Sequence, residues 1–473
     1  MITLDYDTSY RKGRLICDQS ILTHIRNQFS VKNTGATFAN KKLKMQGSNR
    51  RVPERHYAIT PTGMFDIGLY DEIRNFLRDE NITEIINTSS FDEILNCGFN
   101  GVKVSDTLHF PLRDYQNEVV SKCLECGRGT VLVATGGGKS LIQASILENW
   151  KLLNGSLKCL LIVPGTGLVS QLLKDFKEYK VSFTYSGWTG DMSKQDTEVI
   201  IVNTELLCSQ FGNFKELVDI DLVFRDECHG TKTQNQVTKI ISKIKTHNKF
   251  GFTGTMPKDK INEWKIIGTF GHIIYEKTSK ELRDDKYLSN ALIRVIRINH
   301  PNKIKGYKQE LQFIQTDEGR HKVIKRLVSK VDKNVLILVN RLEHGNNLYE
   351  FLQLPNKEVY FVHGGISVEE RVEIIERMEK QDNIICIAMS SIFSTGINIK
   401  NLHYVVFTSG GKSFIRIVQS IGRGLRLHDS KERFVLFDIY DNFKFSMEHA
   451  EIRKQFYDEE QIPWKEVELN LLN

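Results

Sequence analysis

Five short apolar runs recur along residues 130–255: TVLVAT (130–135), CLLIVP (159–164), VIIVNT (199–204), DLVFRDE (221–227) and FGFTGT (250–255). Longer amphipathic stretches such as LVSQLLKDFKEY separate them. A strand that is apolar on both faces must be covered on both, and parallel strands need a crossover, usually a helix, to pair. The alternation therefore predicts a parallel sheet between layers of helices. A second series repeats the pattern: NVLILVN (334–340), EVYFVHG (358–364), IICIAMS (384–390), HYVVFTS (403–409) and RFVLFDIYD (433–441). The polar stretch HPNKIKGYKQELQF (300–313) lies between the two series. The fold class is α/β, with two such domains in tandem. The N-terminal region mixes short alternating stretches, turns (KNTGA, TPTGM) and one helix-like run, LYDEIRNFLRD, and reads as a small α+β domain. From about 442 the tail reads as helical and charged. The expected segments are roughly 1–105, 106–290, 291–445 and 446–473.

A chain of 473 residues is too long for one core and accommodates two or three domains. No apolar run approaches the ~18 residues that span a bilayer, so no membrane partner is expected. The N-terminus MITLDYDTSYRKGR lacks the apolar centre of a signal peptide, which points to the cytoplasm. Of the eight cysteines, Cys123 and Cys126 alone form a CxxC, with no second pair to complete a zinc site. They fall in the helical pattern YQNEVVSKCLEC, where a reduced pair on one helix face is expected rather than a metal. The net charge of +7 is mild, but its placement is not even. Lys41, Lys42, Lys44, Arg50, Arg51 and Arg55 crowd into KKLKMQGSNRRVPER against the single acid Glu54. Taken alone, this is equally a solvated loop or a surface for nucleic-acid phosphates.

Open parallel sheets bind ligands beyond the carboxyl ends of their strands. The first run leads into Thr135-Gly136-Gly137-Gly138-Lys139-Ser140 and then a helical pattern, LIQASILENW. Glycines let backbone N–H groups approach phosphates, and a helix N-terminus favours negative charge. Lys139 would reach the terminal phosphates and the Ser140 hydroxyl would bind Mg²⁺. The full phosphate-loop pattern asks for one more glycine, where this chain has Val133, so the loop by itself also reads as a serine-capped turn. The fourth run ends in Asp226-Glu227-Cys228-His229. Asp226 suits a metal ligand and Glu227 a group that orients or deprotonates water. Adjacent side chains diverge on an extended strand, so the pair has to sit where the strand ends and the backbone turns. Thr253-Gly254-Thr255 closes the fifth run with hydroxyls that could relay the state of a γ-phosphate, or simply make a turn. In the second series, Gln419-Ser420-Ile421-Gly422-Arg423-Gly424-Leu425-Arg426 sets two arginines three apart, on one face if helical. Phe393-Ser394-Thr395-Gly396-Ile397-Asn398 offers hydroxyls and backbone N–H groups. Arg113-Asp114-Tyr115-Gln116 opens a helix whose glutamine amide can read an adenine edge. Trp188, in FTYSGWTGDM, is open to base stacking but more simply explained by packing.

In this order, LRDYQ, TGGGKS, VPGTGLVSQ, VNT, DECH, TGT, FSTGIN and QSIGRGLR resemble a superfamily-two helicase of the DExH kind, over roughly residues 108–441. Within that group the chain is most similar to the phage UvsW-type branch-migration DNA helicases. The resemblance implies two tandem RecA-like domains with a small α+β N-terminal domain. It implies ATP and Mg²⁺ as cofactors, held by Arg113, Gln116, Thr135, Gly136, Gly137, Gly138, Lys139, Ser140, Asp226 and Glu227, with Gly396 and Gln419 contributing from the second domain. Asp226 and Ser140 would carry the metal, Glu227 the water, and Arg423 and Arg426 the transition-state charge. His229, Thr253 and Thr255 would couple hydrolysis to nucleic acid. Thr166, Thr204 and Thr395 would touch its phosphates, alongside Lys41, Lys42, Lys44, Arg50 and Arg51. The departures, cysteine as the third residue of DECH and serine after the lysine, leave the chemistry intact. The implied partner is forked or branched DNA, with RNA–DNA hybrids as a further possibility, acted on by a monomer in recombination, repair or fork processing. Two alternatives stay open: an RNA helicase, because these motifs grip phosphates rather than bases, and the motor subunit of a larger assembly.

Overall fold

The computed structural model describes all residues except 34, 48–49, 83, 96, 190–195, 211–218, 230–233, 302–303, 391–398, 400, 409–432, 460 and 472–473. Two compact units are present: Met1–Val133 with Lys139–Glu276, and Ala134–Gly138 with Lys277–Asn473. Among the described residues no helix is long and apolar enough to cross a membrane.

The first unit begins with β1 (Ile2–Asp7), β2 (Lys12–Ile16), α1 (Gln19–Gln28), β3 (Ser30–Lys32), α2 (Ala36–Met45), β4 (Arg55–Tyr57), β5 (Met64–Phe65), α3 (Tyr70–Asp79), β6 (Ile85–Asn87) and α4 (Ser89–Leu95). Four of these strands form a sheet in the order β5-β2-β1-β6, antiparallel at β1/β2 and parallel at β1/β6, while β3 and β4 make a separate ribbon. This α+β region does not close its core alone. Ile267, with Trp264 and Met256, completes the cluster around Leu4, Phe65, Leu77 and Phe91. Gly68 permits that approach, since a Cβ there would lie 1.9 Å from the Ile267 carbonyl oxygen.

There follow α5 (Asp114–Cys126), β7 (Gly129–Val133), α6 (Lys139–Asn154), β8 (Cys159–Val163), α7 (Thr166–Tyr179), β9 (Tyr185–Trp188), β10 (Val199–Asn203), α8 (Thr204–Gln210), β11 (Leu222–Arg225), α9 (Gln234–Lys243), β12 (Lys249–Thr253), α10 (Lys260–Phe270) and β13 (Ile273–Lys277). The strands form a seven-stranded parallel sheet in the order β13-β7-β12-β11-β8-β10-β9. The inner strands are buried along all or nearly all of their length, β8 at all five positions. Each such aliphatic side chain contributes about 1.5–3 kcal/mol on burial. The five apolar runs are therefore the centre of this sheet. The edge strands β9 and β13 escape the sequence pattern because they are only partly buried and carry polar residues. Trp188 ends β9 and packs on the cluster around Val202 and Leu207.

The second unit repeats the plan with α11 (Ser279–Asp284), β14 (Asn290–Asn299), α12 (Tyr307–Thr316), α13 (Glu318–Ser329), β15 (Val335–Val339), α14 (Leu342–Phe351), β16 (Glu358–Val362), α15 (Val368–Lys380), β17 (Ile384–Met389), β18 (Tyr404–Phe407), β19 (Arg433–Asp441), α16 (Lys444–Glu459) and β20 (Trp464–Asn470). Its seven strands run parallel in the order β16-β17-β15-β18-β19-β14-β20. The tail departs from the helical expectation, because after α16 the stretch WKEVELN forms β20 and pairs with β14. Its period-two alternation suits an edge strand, and the free edge of β14 supplies the partner. Buried charge fixes α16 in place. Arg453 donates through Nε to Asp438 Oδ2 at 2.9 Å, and the Tyr457 hydroxyl donates to the same oxygen at 2.8 Å. Breaking a buried pair of this kind costs about 3–5 kcal/mol.

Candidate functional site

At the carboxyl ends of β7, β11 and β12, three segments converge. Lys139 opens α6, Asp226 and Glu227 follow β11, and Thr253 ends β12. In the loop leading to Lys139, Gly136 and Gly138 have φ of 89° and 77°. Side-chain-bearing residues rarely take that left-handed backbone, so the glycines are required by the turn. The Gly137 N–H donates to the Ala134 carbonyl at 3.0 Å.

The lysine and the acid pair meet. Lys139 Nζ donates to the Val133 carbonyl at 3.4 Å and stands 3.6 Å from Glu227 Oε1. β11 ends at Arg225, and Glu227 sits at φ 46°, a conformation that costs a residue with a Cβ about 1–3 kcal/mol. That turn lets two successive acids face one site. Glu227 Oε2 lies 3.4 Å from His229 Nδ1, and His229 Nδ1 lies 2.6 Å from Thr253 Oγ1. The Thr253 hydroxyl donates to the Thr255 carbonyl at 2.8 Å and accepts the Thr255 N–H at 3.2 Å. With its proton so committed, Thr253 accepts from the ring, which assigns the His229 proton to Nδ1. Burial, more than any neighbouring charge, pushes the His229 pKa down and keeps the ring neutral at pH 7.

Asp226 is the strained member. Burial first, and the charge of Glu227 second, push its carboxyl up from 3.8 to about 7 against the opposing pull of Lys139. Its Oδ1 is buried with no hydrogen-bond partner among the described residues. A buried carboxylate oxygen without a donor, beside a second acid, fits a hard divalent cation such as Mg²⁺. The sign of the pH effect follows. The folded protein binds this proton more tightly than the unfolded chain. Asp226 therefore favours folding at low pH, and that contribution fades as pH rises from about 4 to about 7. Mg²⁺ competes with the same proton, so it is expected to raise Tm more at pH 8 than at pH 6. Equal shifts measured by thermal denaturation at the two pH values would exclude Asp226 as the cation's ligand.

Other residues singled out in the sequence have clear places. Gln116 is buried, and its Oε1 accepts the Arg113 N–H at 2.9 Å in a box that caps α5. The Ser140 hydroxyl is 3.0 Å from the Tyr179 hydroxyl. Thr166 is exposed in the first turn of α7. Thr204 is buried and donates to the Val163 carbonyl at 2.8 Å, so a phosphate there would first have to displace that bond. Lys41, Lys42 and Lys44 are exposed on α2, and Arg50 and Arg51 are exposed in the loop after it. The Asn40 amide ties that loop back through two hydrogen bonds to the Val52 backbone. Thr395, Gly396, Gln419, Arg423 and Arg426 lie outside the described residues. Two neighbours of the site were not anticipated. Gln143 lies beside Asp226, and its i+4 spacing from Lys139 on α6 was a usable signal. Tyr179 had no local signal, being 39 residues from Ser140.

Comparison with known proteins shows what this chain is similar to. The family model described as Type III restriction enzyme, res subunit, matches residues 109–258, and that of the Helicase conserved C-terminal domain matches 319–428. The chain is 28% identical to the ATP-dependent DNA helicase uvsW of Enterobacteria phage T4, over 94% of this chain and 91% of that protein. It is 26% identical to Putative helicase 22 of Sulfolobus islandicus filamentous virus (isolate Iceland/Hveragerdi), over 79% of this chain and 72% of that one. Among solved structures, the ATP-dependent Type ISP restriction-modification enzyme LlaBIII bound to DNA aligns at 14% identity with a TM-score of 0.59. The alignment covers 84% of this chain and 34% of that one, a likeness of fold.

Proposed function

This chain belongs to the superfamily-two helicases, and on that premise we propose that it is an ATP-dependent DNA helicase or translocase that remodels forked and branched DNA. The observation that carries this reading is the cluster in which Lys139 meets Glu227 beside a buried, unsatisfied Asp226 carboxylate oxygen. Lys139 and the N–H groups of Gly136, Gly137 and Gly138 take the phosphate chain. Ser140, once released from Tyr179, and Asp226 would hold Mg²⁺, which would supply charge neutralisation for phosphoryl transfer. Glu227 orients the attacking water and accepts its proton. His229, Thr253 and Thr255 pass the state of Glu227 on to the segment after β12. Gln116 and Arg113 lie toward the base, and Arg423 and Arg426, with Gly396 and Gln419, act from the second domain on the strength of their motifs alone. ATP-driven closure of the two domains moves the strand, which Thr166, Thr204 and Thr395 grip by its phosphates. The protein works as a monomer in the cytoplasm of a host cell.

Residues 1–105 serve as the duplex-holding domain in this reading, with the exposed cations of α2 and its loop as the binding surface. Replacing Lys41, Lys42 and Lys44 by alanine is expected to flatten the dependence of log K on log salt by about 0.9 for each phosphate that is no longer neutralised. An unchanged slope in fork-binding titrations at several salt concentrations would remove this surface from the interface.

ATP hydrolysis measured with forked DNA, and with RNA of the same sequence, tests the proposal directly. Strong stimulation by the fork and weak stimulation by RNA is the expected result. The reverse order makes the protein an RNA remodeller, and silence with both makes it a motor that needs a partner subunit.

A further inference from the structure

A second polar cavity lies at the opposite end of the first sheet. Lys249 opens β12, His247 precedes it, and Arg128 precedes β7, so these residues sit at the amino ends of strands whose carboxyl ends carry the Lys139 cluster. With Arg11 and Lys245 they line an open volume of about 40 Å³. A water-sized probe needs roughly 10–15 Å³, so the space holds a few water oxygens or one tetrahedral oxyanion.

The cavity has cations in excess. Asp66 is the one carboxylate among its lining residues, and it is paired with Lys12 at 3.1 Å. Arg128 donates through Nε to the Phe270 carbonyl at 3.1 Å and through Nη2 to the Thr269 carbonyl at 3.3 Å. Lys249 Nζ donates to the carbonyls of Ile241 and Ile244 at 2.9 and 3.2 Å. Arg11 Nη1 donates to the Lys243 carbonyl. These acceptors belong to the C-terminal ends of α9 and α10, which offer partial negative charge. Among the described residues, none of the three cations has a carboxylate within ion-pair distance. Burial, then Arg128 and Arg11, push the Lys249 ammonium down to about 7. Burial, then Arg128, Lys249 and Arg11, push the His247 ring down to about 4. Partly buried cations that carry spare donors and repel one another are stabilised by a shared anion.

We propose that this cavity is a binding site for one phosphate-type oxyanion, held between Arg11, Arg128 and Lys249. The planar forks of two arginines match the edges of a tetrahedral oxyanion, and the ammonium adds a third donor. Arg11 comes from the turn between β1 and β2, whereas Arg128 and Lys249 come from the parallel sheet. A bound anion therefore bridges the N-terminal region to that sheet, on the side away from the nucleotide chemistry. Two sources share this chemistry: free orthophosphate and a phosphate of the nucleic-acid backbone.

Tungstate soaked into crystals of the full chain is a suitable probe, with an anomalous peak expected within hydrogen-bond distance of Arg11, Arg128 and Lys249. No peak there, or one confined to the glycine loop, overturns the proposal. In solution, orthophosphate binding is titrated at constant ionic strength for the wild type, Arg11→Ala and Lys249→Met. The glycine loop is common to all three and cancels. The expected result is a weakening of about tenfold or more in the variants. Equal affinity in all three overturns the site. Arg11→Ala, which keeps the Lys249 cap on α9, keeps the test valid if Lys249→Met does not fold. Fork binding by Arg11→Ala identifies the source. A salt dependence flattened by about 0.9 points to a backbone phosphate, while unchanged fork binding with weakened orthophosphate binding points to the free ion.

Discussion

Replacing Lys139 by alanine is expected to lower DNA-stimulated ATP turnover about a thousandfold, the scale on which a donor that stabilises transition-state charge acts. Phosphoryl transfer leaves the protein little covalent work, so a positioned cation carries a large share of the rate. The structure adds a second effect. Lys139 is the charge that opposes the upward push on Asp226. Without it the Asp226 carboxyl rises beyond about 7 and holds its proton at neutral pH, so metal binding weakens together with nucleotide binding. Glu227 is deprived of the cation 3.6 Å away at the same time. The pair is only 11% and 17% exposed, so a Tm measured on the variant separates lost catalysis from lost fold. The checks are steady-state hydrolysis with forked DNA and a nucleotide-binding titration. Turnover within about tenfold of wild type would mean that phosphates are not held at this loop.

Glu227→Gln is the complementary change and should separate binding from chemistry. Glutamine keeps the shape of the side chain and removes its basicity. Hydrolysis is expected to fall by about 10²–10⁴-fold, the contribution of a positioned general base, with ATP affinity retained. Its electrostatic consequence has the opposite sign to that of Lys139→Ala. The charge of Glu227 is the second cause of the raised Asp226 pKa, after burial. Neutralising it lowers that pKa, so Mg²⁺-induced stabilisation should persist to lower pH than in the wild type. Together the two variants move the pH of half-maximal Mg²⁺ effect in opposite directions, up without Lys139 and down without the Glu227 charge. A Glu227→Gln protein with full turnover, or with an unmoved pH midpoint, would rule out the assigned roles.

Much of this site was legible in the chain. The glycines before Lys139, the acid pair closing an apolar run and the need for a turn at Glu227 are all local statements, and the φ of 46° at Glu227 is the turn that two adjacent acids require to face one site. The reading of Thr204 was less complete. Its hydroxyl is occupied by the Val163 carbonyl, a bond made 41 residues away across adjacent strands. The edge strands β9 and β13 and the strand β20 in the tail were missed for a related reason, and so was the inner strand β14, whose apolar run is broken by Arg294 and Arg297. An edge strand is defined by the neighbour it pairs with, and partial burial erases the continuous apolar signature that marks a central one.

The sequence by itself determined the two parallel sheets, most of their inner strands, the helices between them and the residues placed at the carboxyl end of the first sheet. Period and composition set these, and they act over a few residues. Only the tertiary structure decided that Ser140 meets Tyr179, that His229 donates to Thr253 and that Ile267 completes the N-terminal core. It alone gathered Arg11, Arg128 and Lys249 around one cavity. Those juxtapositions depend on strand order and on helices packing at fixed depth. A side chain's partner then lies tens to hundreds of residues away, beyond the reach of any local pattern.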